Sequence, residues 1–178
     1  MPKYIAFLRA INVGGHNVKM DHLRSLFESL NLANVETFIA SGNVIFDSKS
    51  KADLLERKIA KHLQESLGYA VATFVRSKDE LVDVARFQPF SKAELEAKGN
   101  QLYVAFTANK FTVEVTKKLL GQRSEIDDFC LNGREVYWLY RRLAGESKFY
   151  GVPLEKTLGT QTTVRNINTI QRIVTKYS

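Results

Sequence analysis

The order in which strand and helix patterns follow one another constrains this chain more than any single motif, because it reads β-α-β-β-α-β and then reads so again. Residues 3–9, KYIAFLR, are β-branched and aromatic without a breaker and predict a strand. After the loop INVGGHNVK, Met20, Leu23, Leu26, Phe27 and Leu30 recur at helical spacing, which predicts a helix burying one face. Residues 35–40 and 44–46 predict two more strands, joined by Ser41-Gly42-Asn43. Ser50 with Asp53 resembles a capping box ahead of a stripe of Leu55, Ile59, Leu63 and Leu67, closed by Gly68. Residues 70–76 complete the set as a fourth strand.

Two short capped helices follow, signalled by Ser77 with Glu80 and by Ser91 with Glu94, with Pro89 between them. The pattern then resumes. Residues 101–107 predict a strand, Thr112 caps a helix ending at Gly121, and residues 125–131 and 134–140 flank Asn132-Gly133, a hairpin signal. Residues 148–158 predict a helix, 161–164 a short strand, and Asn166 or Asn168 caps a last helix carrying Ile170, Ile173 and Val174. The expected class is α+β: two ferredoxin-like (βαββαβ) subdomains with an extra C-terminal helix. Their expected limits are residues 1–88 and 100–178, joined by a linker with a short helix over 89–99. The halves share a topology rather than an obvious sequence repeat.

Such a sheet carries helices on one face only, so its other face should be polar if exposed. Here Tyr4, Ala6 and Leu8 alternate with an equally apolar Ile5 and Phe7, and Val136, Trp138 and Tyr140 alternate with Tyr137 and Leu139. Both faces therefore need cover. The other half of the chain is the expected cover, and a homodimer interface or a base-stacking surface the alternative.

The chain of 178 residues is long enough for a core without staples or metals, and a lone Cys130 excludes an internal disulfide framework and fits a reducing compartment. No apolar run reaches the roughly 18 residues of a membrane span, and Arg9 and Asn12 interrupt the apolar run from Tyr4 that a signal peptide would need. A cytoplasmic protein without membrane partners is expected. The net charge is +7, unevenly spread. Residues 1–90 hold 12 bases and 10 acids, whereas residues 141–178 alone hold seven bases and two acids. A concentrated positive segment favours anionic partners, although a solvated helix surface accounts for it as well.

The segments YIAFLRAINVGGHNVKMDHLRSLFESL, FIASGNVIF, GREVYWLY and TTVRNINTIQRI, with SKF between the last two, resemble the signatures of Domain of Unknown Function 1697, a bacterial family. The resemblance spans essentially the whole chain and implies two ferredoxin-like α+β subdomains. It implies no activity, substrate or cofactor. Ile167 stands where family members usually carry an aromatic residue, so stacking at that position is not implied.

Three polar loops are the candidate ligand-binding sites. Arg9, Asn12, Gly14, Gly15 and Lys19 run from the first strand into the first helix, where backbone N–H groups and two cations can face an anion. The Gly-Lys-Ser/Thr ending of a Walker loop is missing. Ser41 and Asn43 flank Gly42 in a connection whose composition also makes an ordinary β-turn. Ser147 and Lys148, with Arg165, Asn166 and Asn168, place more directional polar groups near the last helix than capping alone needs. No catalytic set stands out. His16, His22 and His62 lack the spacing of a zinc site, Asp127 and Asp128 fall on opposite faces of a strand, and Ser147-Lys148 is too little for a dyad. The leading expectation is a protein that binds, or acts on, a small anionic or phosphorylated ligand where the two subdomains meet. The alternatives are nucleic-acid binding on a sheet and an interaction module without a small ligand; the sequence leaves cofactor and oligomeric state open.

Overall fold

Tyr4, Ala6 and Leu8 on one side of the first strand and Ile5 and Phe7 on the other are all buried, so this strand is apolar on both faces because both are covered. The structure is a computed structural model that describes residues 1–12, 14–39, 42–149 and 152–178. It has an α+β architecture with two four-stranded antiparallel sheets and, among the described residues, seven α-helices. The chain divides into two units, Met1–Val82 with Tyr177 and Asp83–Lys176 with Ser178.

In the first unit the elements run β1 (Lys3–Leu8), α1 (Met20–Glu28), β2 (Ala33–Thr37), β3 (Asn43–Asp47), α2 (Ala52–Leu67) and β4 (Thr73–Ser77), and the strands lie in the order β2-β3-β1-β4. Tyr4, Ala6, Leu8, Val44 and Phe46 share one core with Leu23 and Phe27 of α1 and Leu55, Ile59 and Leu63 of α2. That is the helical stripe predicted from spacing. Gly68 ends α2 in the left-handed conformation at φ 82°, with its N–H on the Gln64 carbonyl, as the C-cap signal requires. The Ser50–Asp53 box does not form. Lys51 is the N-cap and caps with no side-chain bond, while the Ser50 N–H is taken by the Ser48 hydroxyl.

α3 (Lys78–Arg86) follows β4 directly through the predicted box: Glu80 accepts from the Ser77 N–H at 2.7 Å, and Ser77 from the Glu80 N–H at 3.1 Å. α4 (Lys92–Glu96) opens on the second predicted box, Ser91 with Glu94. The second unit then runs β5 (Asn100–Phe106), α5 (Val113–Leu120), β6 (Asp127–Asn132), β7 (Glu135–Arg141), α6 (Val152–Leu158), β8 (Thr163–Asn166) and α7 (Ile167–Lys176), with strand order β6-β7-β5-β8. The β6–β7 hairpin pairs Asn132 with Glu135, so its two-residue loop is Gly133-Arg134, one residue beyond the expected Asn132-Gly133. Gly133, at φ 62°, supplies the positive φ the tight turn demands at its first position. The expected helix start at residues 148–151 includes positions outside the described residues.

The pairing registers reveal a short repeat that the linear sequence hides. Ala6 faces Val75 across β1–β4, and Ala105 faces Val164 across β5–β8. Aligned on those pairs, Tyr4-Ile5-Ala6-Phe7 matches Tyr103-Val104-Ala105-Phe106, and Val75-Arg76 matches Val164-Arg165. Each arginine folds back so that its Nη1 donates to the carbonyl of the valine before it, at 3.0 Å in both cases. In both units a helix begins two residues beyond the arginine.

Candidate functional site

In the first unit the loop after β1 is held by its own polar groups. The Arg9 N–H donates to the Ala72 carbonyl at 2.9 Å, and Asn12 Oδ1 accepts the Val18 N–H at 2.7 Å. The Tyr69 hydroxyl donates to the Ile11 carbonyl at 2.9 Å, and its ring stacks on His16 with centroids 3.7 Å apart. Lys19 is the exposed N-cap of α1 and makes no capping bond with its side chain. A Cβ at Gly14 or Gly15 would meet nothing within 4 Å, so these glycines serve positive φ (71° and 84°) rather than close approach to a neighbour.

The loop after β1 and the β2–β3 connection prove to be neighbours. The Leu8 N–H donates to the Gly42 carbonyl, and a Cβ on Gly42 would lie 3.0 Å from Leu8 Cβ and 3.1 Å from Ile11 Cγ2. Asn43 is buried, its Nδ2 donating to the Phe38 carbonyl at 3.0 Å. Ser41 lies outside the described residues. Asn12, Gly42 and Asn43 line one cavity of about 10 Å³, the space of about one water. Both asparagines thus close loops. Gly42→Ala is expected to destabilise by about 2–4 kcal/mol, since left-handed strain of about 1–2 kcal/mol adds to overpacking. Gly14→Ala carries only the strain, and urea unfolding of the two variants side by side checks the difference.

The second unit holds a larger concavity. Seven amino acids of α3 to β5 (Ala85, Phe87, Gln88, Leu95, Asn100, Gln101 and Leu102) and four at the β8–α7 junction (Asn166, Ile167, Asn168 and Gln171) line a cleft of about 410 Å³. β8 pairs Asn166 with Tyr103, two residues from Gln101, which brings the start of β5 beside the first turn of α7. α4 is fixed at this end of β5 by Arg141, whose Nη2 lies 2.9 Å from Glu94 Oε1, and by Asn100 Nδ2, which donates to the Glu94 carbonyl at 2.7 Å. The Arg141 guanidinium holds the Glu94 carboxyl below its usual range, helped by the Ser91 N–H.

Of the expected C-terminal residues, the cleft gathers Asn166 and Asn168 but not the others. Ser147 Oγ accepts the Phe149 N–H, and Lys148 is exposed with its Nζ 5.5 Å from the Phe149 ring centre. Arg165 turns to Thr163 Oγ1 at 2.7 Å and the Val164 carbonyl, and burial pushes its guanidinium down to about 10, still cationic at neutral pH. Asn166 Oδ1 accepts the Asn168 N–H at 2.9 Å, which is the predicted capping role. Gln88, Asn100, Gln101 and Gln171 escaped the sequence reading. The adjacent amides at the start of a strand, and Gln171 one helical turn beyond Asn168, were the signals that could have found them.

Two other polar groups make contacts that the fold itself explains. Ser29 Oγ lies 2.8 Å from His62 Nε2, but its proton goes to the Leu26 carbonyl at 2.7 Å. The imidazole must then donate to the hydroxyl, the reverse of what activating a nucleophile requires. Cys130 is half-buried, its thiol pushed up by burial and by Asp128, away from thiolate reactivity. Among the described residues no three His, Cys, Asp or Glu side chains come together to hold a metal, and no helix is long and apolar enough to cross a membrane.

Two units, each built on a four-stranded antiparallel sheet, define the class of protein, and a solved structure shares it. A conserved bacterial protein from Streptococcus pneumoniae is similar over 99% of both chains, with a TM-score of 0.73 at 19% identity, a likeness of fold alone. The chain belongs to the family described as protein of unknown function DUF1697, whose model matches residues 1–137. The curated proteins offer no match.

Proposed function

We propose that this protein binds a small polar ligand in the cleft of its second unit. The observation that carries the reading is that six residues with carboxamide side chains, Gln88, Asn100, Gln101, Asn166, Asn168 and Gln171, line one concavity of about 410 Å³. That volume lies near the lower end of the 300–1,000 Å³ or so typical of ligand pockets. Amides donate and accept in fixed directions, so they orient a ligand. The proposal includes a ferredoxin-like βαββαβ frame for each subdomain, supported by the shared strand order.

Anion binding through Arg9, Lys19, Lys148 and Arg165 is a second reading, supported by the net charge of +7. The two are separable by one experiment. Amide resonances of the labelled full chain are followed while uridine, adenosine, glucose and inorganic phosphate are added in turn. The cleft reading expects saturable shifts at Asn100, Gln101 and Asn166–Asn168 with at least one organic compound. Shifts confined to the Arg9–Lys19 loop or to Lys148 on adding phosphate favour the anion reading and overturn the first.

A further inference from the structure

We infer that the ligand of the cleft is an uncharged nucleobase-type heterocycle, taken as the free base or nucleoside; the inference rests on the cleft being the binding site. The first ground is charge. No Lys, Arg, His, Asp or Glu stands among the lining residues. A phosphate or carboxylate held there would be desolvated without a countercharge, which is strongly unfavourable. Neutral ligands escape that cost.

The second ground is the polarity of the amides. Three of them are already oriented by the fold. Asn100 uses its Nδ2 on the Glu94 carbonyl, which leaves its Oδ1 as a free acceptor. Gln101 Oε1 accepts from the Tyr103 hydroxyl, and Asn166 Oδ1 accepts the Asn168 N–H, which leaves the NH₂ group of each as a free donor. The residues that line the cleft therefore offer both free donors and a free acceptor, the acceptor of Asn100 on one face of β5 and the donors of Gln101 and Asn166 on the other. A nucleobase edge, with ring nitrogens, carbonyls and amino groups in one plane, matches such a set, as carboxamides match base edges elsewhere. Gln88, Asn168 and Gln171 lie on the exposed side of the cleft and supply adaptable contacts.

The third ground is the remaining surface. Phe87 offers a partly exposed aromatic ring, braced against Tyr137 with centroids 4.9 Å apart, and Leu95, Leu102 and Ile167 add apolar area. A flat ring buries its faces against such residues while its edge meets the amides. A hexose, with hydroxyls all round, would leave several of them against apolar side chains.

The test is calorimetric titration of the full chain with uridine, adenosine, ribose, glucose and a short single-stranded RNA. The expected result is saturable binding of at least one nucleoside, with no binding of ribose or glucose. Two isosteric changes keep the structural bonds but reverse the free group: Asn166→Asp retains the oxygen that caps Asn168, and Gln101→Glu retains the acceptor for Tyr103. Each is expected to weaken the nucleoside about tenfold or more while leaving the circular dichroism spectrum and thermal midpoint near those of the parent. Asn168→Ala, whose side chain supports no element, is expected to weaken it less. Sugar binding at the cleft residues without nucleoside binding would overturn the ligand class and leave the cleft reading standing. Tight binding of RNA with none of nucleosides would overturn the class in favour of a polymer. No binding by any compound, with no resonance shifts in the cleft, would overturn both.

Discussion

Replacing Trp138 by alanine should lower the stability of the second unit by about 3–5 kcal/mol, the cost of deleting a fully buried large aromatic. Trp138 sits mid-strand in β7, opposite Phe129 of β6 and Tyr103 of β5, and is 1% exposed. Its ring lies 5.0 Å from that of Tyr103 and 6.0 Å from that of Tyr140, within one core that also includes Phe149 and Leu154. Its Nε1–H donates at 2.7 Å to Oδ1 of Asp127, which is 3% exposed. Volume and hydrogen bond can be separated. Trp138→Phe keeps most of the packing but withdraws the donor from a buried carboxylate, an expected loss of about 1–3 kcal/mol. Asp127→Asn should cost less in the Trp138→Phe background than in the parent, because it then removes an uncompensated charge. Urea unfolding followed by far-ultraviolet circular dichroism reads all four variants, including those that lack the only tryptophan. Equal costs of Asp127→Asn in both backgrounds would show that the bond contributes nothing.

That pair also shows why much of the fold was legible and most of the site, Asn166 and Asn168 apart, was not. Alternation along β1 and β7 gives the strands, and 3.6-residue stripes such as Leu55, Ile59 and Leu63 give the helices, because burial acts on every second or every third to fourth residue. Capping boxes at Ser77 and Ser91 were readable because both partners lie within one turn. The Ser50 box failed on the same rule, since a hydroxyl two residues away, Ser48, took the Ser50 N–H instead. The cleft depends on register. Only the pairing of Asn166 with Tyr103 puts Gln101 beside the start of α7, and no local pattern encodes a partner more than 60 residues away. Basic residues drew attention because charge is visible in composition. The described geometry instead ties Arg165 to its own strand and leaves the cleft to uncharged amides, which composition does not mark.

Arg76→Ala is expected to destabilise the first unit by a similar amount, about 3–5 kcal/mol, because it breaks a buried ion pair by removing one member. β4 is the outer strand of its sheet, and Val75 exposes an N–H and a carbonyl along that edge. Glu56 of α2 accepts the Val75 N–H at 2.8 Å, Arg76 Nη1 donates to the Val75 carbonyl at 3.0 Å, and the two side chains approach to 3.5 Å. One pair thus satisfies both edge groups of a valine whose side chain belongs to the core. Arg76 is 1% exposed, so salt should screen the pair little. Glu56→Gln keeps an acceptor for the Val75 N–H but withdraws the negative charge from the guanidinium, and should also destabilise. In Arg76→Met, that same Glu56→Gln change should cost less than in the parent, as the carboxylate has already lost the Arg76 guanidinium. Urea unfolding at low and high salt supplies the cycle. Additive costs, or a loss that vanishes at high salt, would mark the contact as an exposed surface pair rather than the clasp that finishes the edge of β4.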